Sequence, residues 1–148
     1  MNSLRLYVFI IVSLLLVLGP AQGSRAETDI DLPPFETIDF ALDTGLHNGQ
    51  GDQPVRVFSQ DLTIPEATWL RLHFGGYYLG DESYIVMTSL ADGSTQRLNA
   101  VTIEQWQGTS AFFNGDTLLL ELYAGPGDEN IFFQIERITV GKALGSVL

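Results

Sequence analysis

Thr117-Leu118-Leu119-Leu120-Glu121-Leu122-Tyr123-Ala124 is the stretch whose reading decides the fold class. Successive side chains of a strand point to opposite faces, so Leu118, Leu120 and Leu122 share one face while Leu119, Glu121 and Tyr123 share the other. The same period of two runs outward along the chain. Val55 and Val57 alternate with Arg56 and Phe58; Leu70, Leu72 and Phe74 with Trp69, Arg71 and His73; Ile131, Phe133 and Ile135 with Phe132, Gln134 and Glu136. Ile138 and Val140 close the pattern, and Tyr84–Ser89 and Ser110–Phe113 are shorter strand candidates. No stretch beyond the first 26 residues holds a 3.6-residue period, apart from one helical turn expected over Ile103–Gln107.

Turn residues separate nearly every pair of strands. Gly75-Gly76 and Leu79-Gly80-Asp81 follow the Trp69 strand, Asp92-Gly93 favours a tight hairpin, Asn114-Gly115 does the same, and Gly125-Pro126-Gly127-Asp128 opens the last hairpin. Many short strands with regular turns predict an all-β antiparallel sandwich or jelly roll. There is no internal repeat.

The N-terminus sets the compartment. Arg5 precedes an apolar run from Leu6 to Leu18, broken only by Ser13 and ended by Gly19-Pro20. That is the length of a signal-peptide core and short of the roughly 20 residues of a bilayer span. Cleavage is expected after Gly23 or after Ala26. The division is therefore residues 1–26 as signal peptide, 27–53 as an acidic, turn-rich lead-in, 54–142 as the sandwich and 143–148 as a C-terminal tail. Ile38, Phe40 and Leu42 alternate with Asp39, Ala41 and Asp43, which admits a strand inside the lead-in. The chain has no cysteine, so an exported domain of this size must rest on its core rather than on disulfides, a pattern commoner in bacteria. The expected location is secreted, periplasmic or in the cell envelope, with no membrane association after cleavage.

All eighteen acidic residues lie beyond Ala26 with only five basic ones, Arg56, Arg71, Arg97, Arg137 and Lys142, a balance of −13 from Glu27 onward. Such a field repels phosphate backbones, so no nucleic acid is expected as a partner. Nucleophilic catalysis needs a nucleophile beside an oriented base. The only histidines are His47 and His73, and Gly108-Thr109-Ser110-Ala111-Phe112 lacks the second glycine of a nucleophile elbow. Glu121 sits mid-strand, facing outward, with no identifiable carboxylate partner. No enzyme activity is expected.

Zinc lacks ligands here, whereas calcium takes several oxygens from loops. Three acidic loop clusters exist: Asp81-Glu82, Asn114 with Asp116, and Asp128-Glu129-Asn130. A calcium site drawing on Asp81, Glu82 or Asp116 is the cofactor expectation, beside plain turn roles for the same residues. The candidate contact face is aromatic: Trp69, His73, Leu119, Tyr123 and Phe132 oppose the core leucines and form a platform if their strands are neighbours. Tyr77-Tyr78, read as a loop between strands, is a second recognition candidate. Trp106 reads as a core plug between the sheets.

From Trp69 to Gly141 the residues Trp69-Leu70-Arg71-Leu72-His73-Phe74, Leu79-Gly80, Ser83-Tyr84-Ile85, Asp92-Gly93, Ser110-Ala111-Phe112-Phe113-Asn114-Gly115-Asp116 and Gly125-Pro126-Gly127 form a recognisable series. It resembles the non-catalytic β-sandwich domain found at the N-terminus of some exported bacterial trypsin-like serine proteases, and more distantly CUB-type and convertase P-type sandwiches. The resemblance implies architecture and export. It carries no peptidase activity, because no Gly-Asp-Ser-Gly-Gly motif or catalytic histidine segment is present. The expected function is an exported accessory domain contacting a protein partner or a surface polymer. The rivals are a calcium-stabilised carbohydrate-binding module and a fragment of a protease precursor without its catalytic domain.

Overall fold

A computed structural model describes residues 34–145, which fall within one compact unit spanning residues 31–148. The signal-peptide reading of residues 1–26 lies outside the described residues, as do residues 27–33 and 146–148.

Eight strands and one helix follow in order: β1 (Phe35–Asp43), β2 (Val55–Thr63), β3 (Trp69–Tyr78), β4 (Tyr84–Ser89), β5 (Thr95–Asn99), α1 (Ala100–Gln105), β6 (Phe113–Asn114), β7 (Thr117–Ala124) and β8 (Phe132–Gly141). They make two four-stranded sheets, β1-β8-β3-β6 and β2-β7-β4-β5, with every pairing antiparallel. This is the expected all-β sandwich. The alternating apolar stripes meet between the sheets: Leu70, Leu72, Ile138 and Val140 from the first face Ile85, Met87, Leu118, Leu120 and Leu122 from the second, all essentially sealed from water. Each such side chain contributes about 1.5–3 kcal/mol of burial free energy. Phe133 ties the two layers, its ring edge-on to Phe58 of β2 (5.9 Å) and to Phe74 of β3 (5.8 Å).

Several expectations change. The lead-in is not separate from the sandwich, because β1 lies in residues 27–53 and pairs along β8 from Phe35↔Gly141 to Asp43↔Gln134. Its Leu42 is buried in the core. Gly75-Gly76 do not end the Trp69 strand. They form an irregularity through which β3 continues to Tyr78, so Tyr77 and Tyr78 are strand residues rather than loop residues. Of the three expected hairpins, only Asp92-Gly93 joins strands of one sheet, β4 and β5. Asn114-Gly115 and Gly125–Asp128 each carry the chain from one sheet to the other. Trp106 is no plug: it caps the end of α1 and is 43 % exposed. Ile103 is the helix residue that enters the core.

Candidate functional site

The two-sheet division decides the fate of the aromatic platform. Trp69 and His73 stand on β3 and Phe132 on β8, all in the first sheet, whereas Leu119 and Tyr123 stand on β7 in the second. Outward-facing residues of the two sheets look away from each other across a sandwich, so these residues do not form one surface. Within the first sheet they separate again. Phe132 pairs with Tyr78, nine residues along β3 from Trp69, or about 30 Å at 3.3 Å per residue.

Around Trp69 the structure assembles a different cluster. Its ring lies 6.3 Å from Phe35 and 5.1 Å, edge-on, from Phe112. The indole rests over Gly141, where any side chain would collide with the ring, so a glycine at the end of β8 makes the seat. Phe35 reaches it because β1 pairs Phe35 with Gly141. Phe112 reaches it because the segment before β6 runs beside β3: Phe74 N donates to Gly108 O (2.8 Å) and Ser110 N to Leu72 O (3.0 Å). Phe35 and Phe112 are 57 % and 61 % exposed. The Arg71 guanidinium lies 4.8 Å above the Phe112 ring, held by bonds from Nε to Ser110 O (3.1 Å) and from Nη2 to Thr109 Oγ1 (2.8 Å). Sequence reading found Trp69 and allowed the lead-in to cover it through Phe35, Ile38 or Phe40, of which Phe35 does so, and it missed Phe112 and Gly141. The available signal was the Phe112-Phe113 doublet, in which a strand must turn one ring out as it turns the other in.

His73 lies half-buried in the same face, its Nε2 2.7 Å from Thr139 Oγ1, which is itself 3.0 Å from Thr37 Oγ1. Burial, then the Arg137 and Arg71 charges, hold its pKa below the usual imidazole value, so it is neutral at pH 7. Ser110 is fully buried, its hydroxyl accepting from Leu72 N (2.9 Å) and donating to Ala111 O (2.7 Å). It is a backbone staple. Tyr77 turns inward and its hydroxyl donates to Glu104 Oε1 (2.7 Å), while Tyr78 is 56 % exposed.

On the opposite outer face Tyr123 stacks on Tyr84, with centroids 4.9 Å apart and planes 11° from parallel, and the Arg97 guanidinium sits 3.5 Å over the Tyr84 ring. Both ring faces of Tyr84 are therefore occupied, leaving none for a stacked ligand. Glu121 is buried beside Arg56, whose Nη1 lies 2.6 Å from Oε1.

The calcium candidates do not converge. Asp116 precedes β7 and Asp81-Glu82 precede β4, whose first residue pairs with Tyr123 near the far end of β7. More than about 20 Å of strand separates them. Among the described residues no group of three His, Cys, Asp or Glu side chains is arranged to hold a metal. A shallow, open hollow of about 650 Å³ lies where β1 and β3 are irregular, lined by Asp39, Asp43, Gly75, Gln134 and Glu136 among others. Asp43 there is held below the ordinary carboxylate range, first by the Gly45 backbone N–H and then by Gln134. No protein-family model, curated protein or solved structure matches the chain.

Proposed function

We propose that this chain is an exported, non-catalytic β-sandwich that binds a partner protein through the Phe35–Trp69–Phe112 end of its first sheet. The observation that carries the reading is the contiguity of three aromatic rings, two of them more than half exposed, beside a fixed arginine. Aromatic side chains and arginine dominate the binding energy of protein interfaces. They do so most where the rings are held rigidly in the free protein, since little side-chain entropy is then lost on docking. Here the Gly141 seat and the Arg71 hydrogen bonds provide that rigidity. The resemblance to the accessory domain of exported trypsin-like proteases supports the same reading, and a catalytic domain of that kind is a partner class to try first.

Photo-crosslinking tests it. A photoreactive residue at position 112 is expected to form a covalent adduct with one exported protein, and the same residue at Val101, exposed on α1, is not. Phe35→Ser with Phe112→Ser should weaken that complex at least about tenfold, since truncating a central aromatic contact costs about 2 kcal/mol or more. Retention on insoluble glycans that disappears in the double variant, with no protein adduct, would replace this reading by the carbohydrate-binding one.

A further inference from the structure

One carboxylate closes the end of the sandwich where β3 passes to β4 and β7 passes to β8. Asp128 Oδ1 accepts from Asp81 N (2.9 Å), and Oδ2 accepts from Glu82 N (2.9 Å), Ser83 N (2.8 Å) and Ser83 Oγ (2.6 Å). Three consecutive backbone N–H groups converging on one anion form a nest of the kind that binds phosphates and other oxyanions. In this chain the nest of residues 81–83 is filled from within. The seat extends further: Ser83 Oγ accepts from Gly125 N (2.8 Å), and Asp128 O accepts from Gly49 N (2.7 Å), which ties in the loop after β1. Asp128 is 8 % exposed, and no Lys or Arg forms an ion pair with it among the described residues. Space for it is cleared by Gly80, where a side chain would strike the carboxylate, and by Gly125, where one would strike Glu82.

We propose that Asp128 is an acid-released latch: its ionised carboxylate holds three loops together, and its protonation frees that end of the sandwich before the rest of the domain unfolds. A protonated carboxyl must donate a hydrogen, and every group facing Oδ1 and Oδ2 is a donor, except that the Ser83 hydroxyl can turn to accept. The ionised form is thus the one that fits. Burial pushes the Asp128 carboxyl up, but the Ser83 hydroxyl and the three N–H groups of the nest together outweigh it and hold the pKa below the ordinary carboxylate value. A depressed folded-state value means stability that is fully present above the unfolded pKa, near 3.9, and lost as pH falls through the folded one. The other titratable groups at this end are the exposed carboxylates of Asp81, Glu82 and Glu129, and His47, whose Nε2–H donates to Thr44 O (2.8 Å). The exposed carboxylates are screened by solvent and weigh less than the buried one. Release would expose Leu79, Ile131 and Phe133, and with them the strand ends that carry Tyr78 and Phe132.

Pepsin, active across the relevant range and selective for aromatic and leucine sites, reads this directly. Cleavage of the native protein relative to the denatured chain should rise severalfold between pH 4.5 and pH 2.5, with the first cuts at Tyr78–Leu79 or Phe132–Phe133. Asp128→Asn should be cut at those bonds already at pH 4.5. Ser83→Ala keeps the carboxylate and loses one donor, so its rise should move to higher pH by about half a unit. First cuts elsewhere in the wild type, an Asp128→Asn profile like the wild type, or an unmoved Ser83→Ala profile each overturns the proposal. Should Asp128→Asn fail to fold, the Ser83→Ala shift decides.

Discussion

Asp128 and Asp92 are both carboxylates held below their usual range, and they show how little a shifted pKa means without burial. Asp92 is solvent-exposed at the β4–β5 turn, bonded to Ser94 N (2.9 Å) and Asn114 Nδ2 (2.8 Å), so water replaces those partners at little loss. Asp128 is buried, and the residues around it are constrained in proportion. Gly125 is one such case, because a Cβ there would meet Glu82 and come 2.9 Å from Asp128 Oδ2. Gly127, two residues on, has nothing within 4 Å and only its positive φ of 75° to protect. Gly125→Ala should therefore lower stability by about 2–3 kcal/mol, in the range of overpacked sites, and Gly127→Ala by only about 1 kcal/mol. Urea melts of the two variants check the ranking, and equal midpoints would contradict the crowding argument.

Elements are placed here by small devices at their ends. Six residues of α1 are too few to be stable alone, and the helix persists because Asn99 Oδ1 accepts from Val101 N (3.1 Å) and Thr102 N (2.9 Å) while Thr102 Oγ1 accepts from Asn99 N (2.8 Å). Ile103 then anchors it in the core. Asn99→Ala should destabilise the domain by about 1 kcal/mol, the usual worth of an N-cap, seen as a lower thermal midpoint with an unchanged far-ultraviolet spectrum. Strand existence was legible from alternation in all the long strands, β1 included, whose Ile38-Phe40-Leu42 pattern was visible within an otherwise turn-like lead-in. The path of β3 was not legible. Glycine pairs signal a turn, yet here Gly75-Gly76 lie in an irregular stretch of β3, leaving Gln134 and Glu136 the room beside them.

At the scale of the molecule, stability depends on the seam between the sheets, and Phe133 is where that seam is most concentrated: fully buried, touching Phe58 of one sheet and Phe74 of the other. Phe133→Ala should cost about 3–5 kcal/mol, read as a lower denaturant midpoint with the slope preserved. A loss under about 1 kcal/mol would mean the sheets are held elsewhere. The same seam explains what the amino-acid order determined unaided and what it left open. Period-two alternation follows from backbone geometry alone, so the strand class, the core face of most strands and the all-β sandwich were readable without any neighbour; β2 is an exception, because an irregularity between Arg56 and Phe58 leaves Val55 exposed and brings Phe58 into the seam. Sheet membership is a long-range property. Asn114-Gly115 and Gly125–Asp128 look like hairpin turns locally, and only packing sends the chain across roughly 10 Å to the other sheet. That crossing put Trp69 and Tyr123 on opposite outer faces, and the closing of the layers brought Phe35 and Phe112 to Trp69 from segments far apart in the chain and set Asp128 beneath the loop of residues 81–83. Local patterns record which way a side chain points; which neighbours it meets is decided when the layers close.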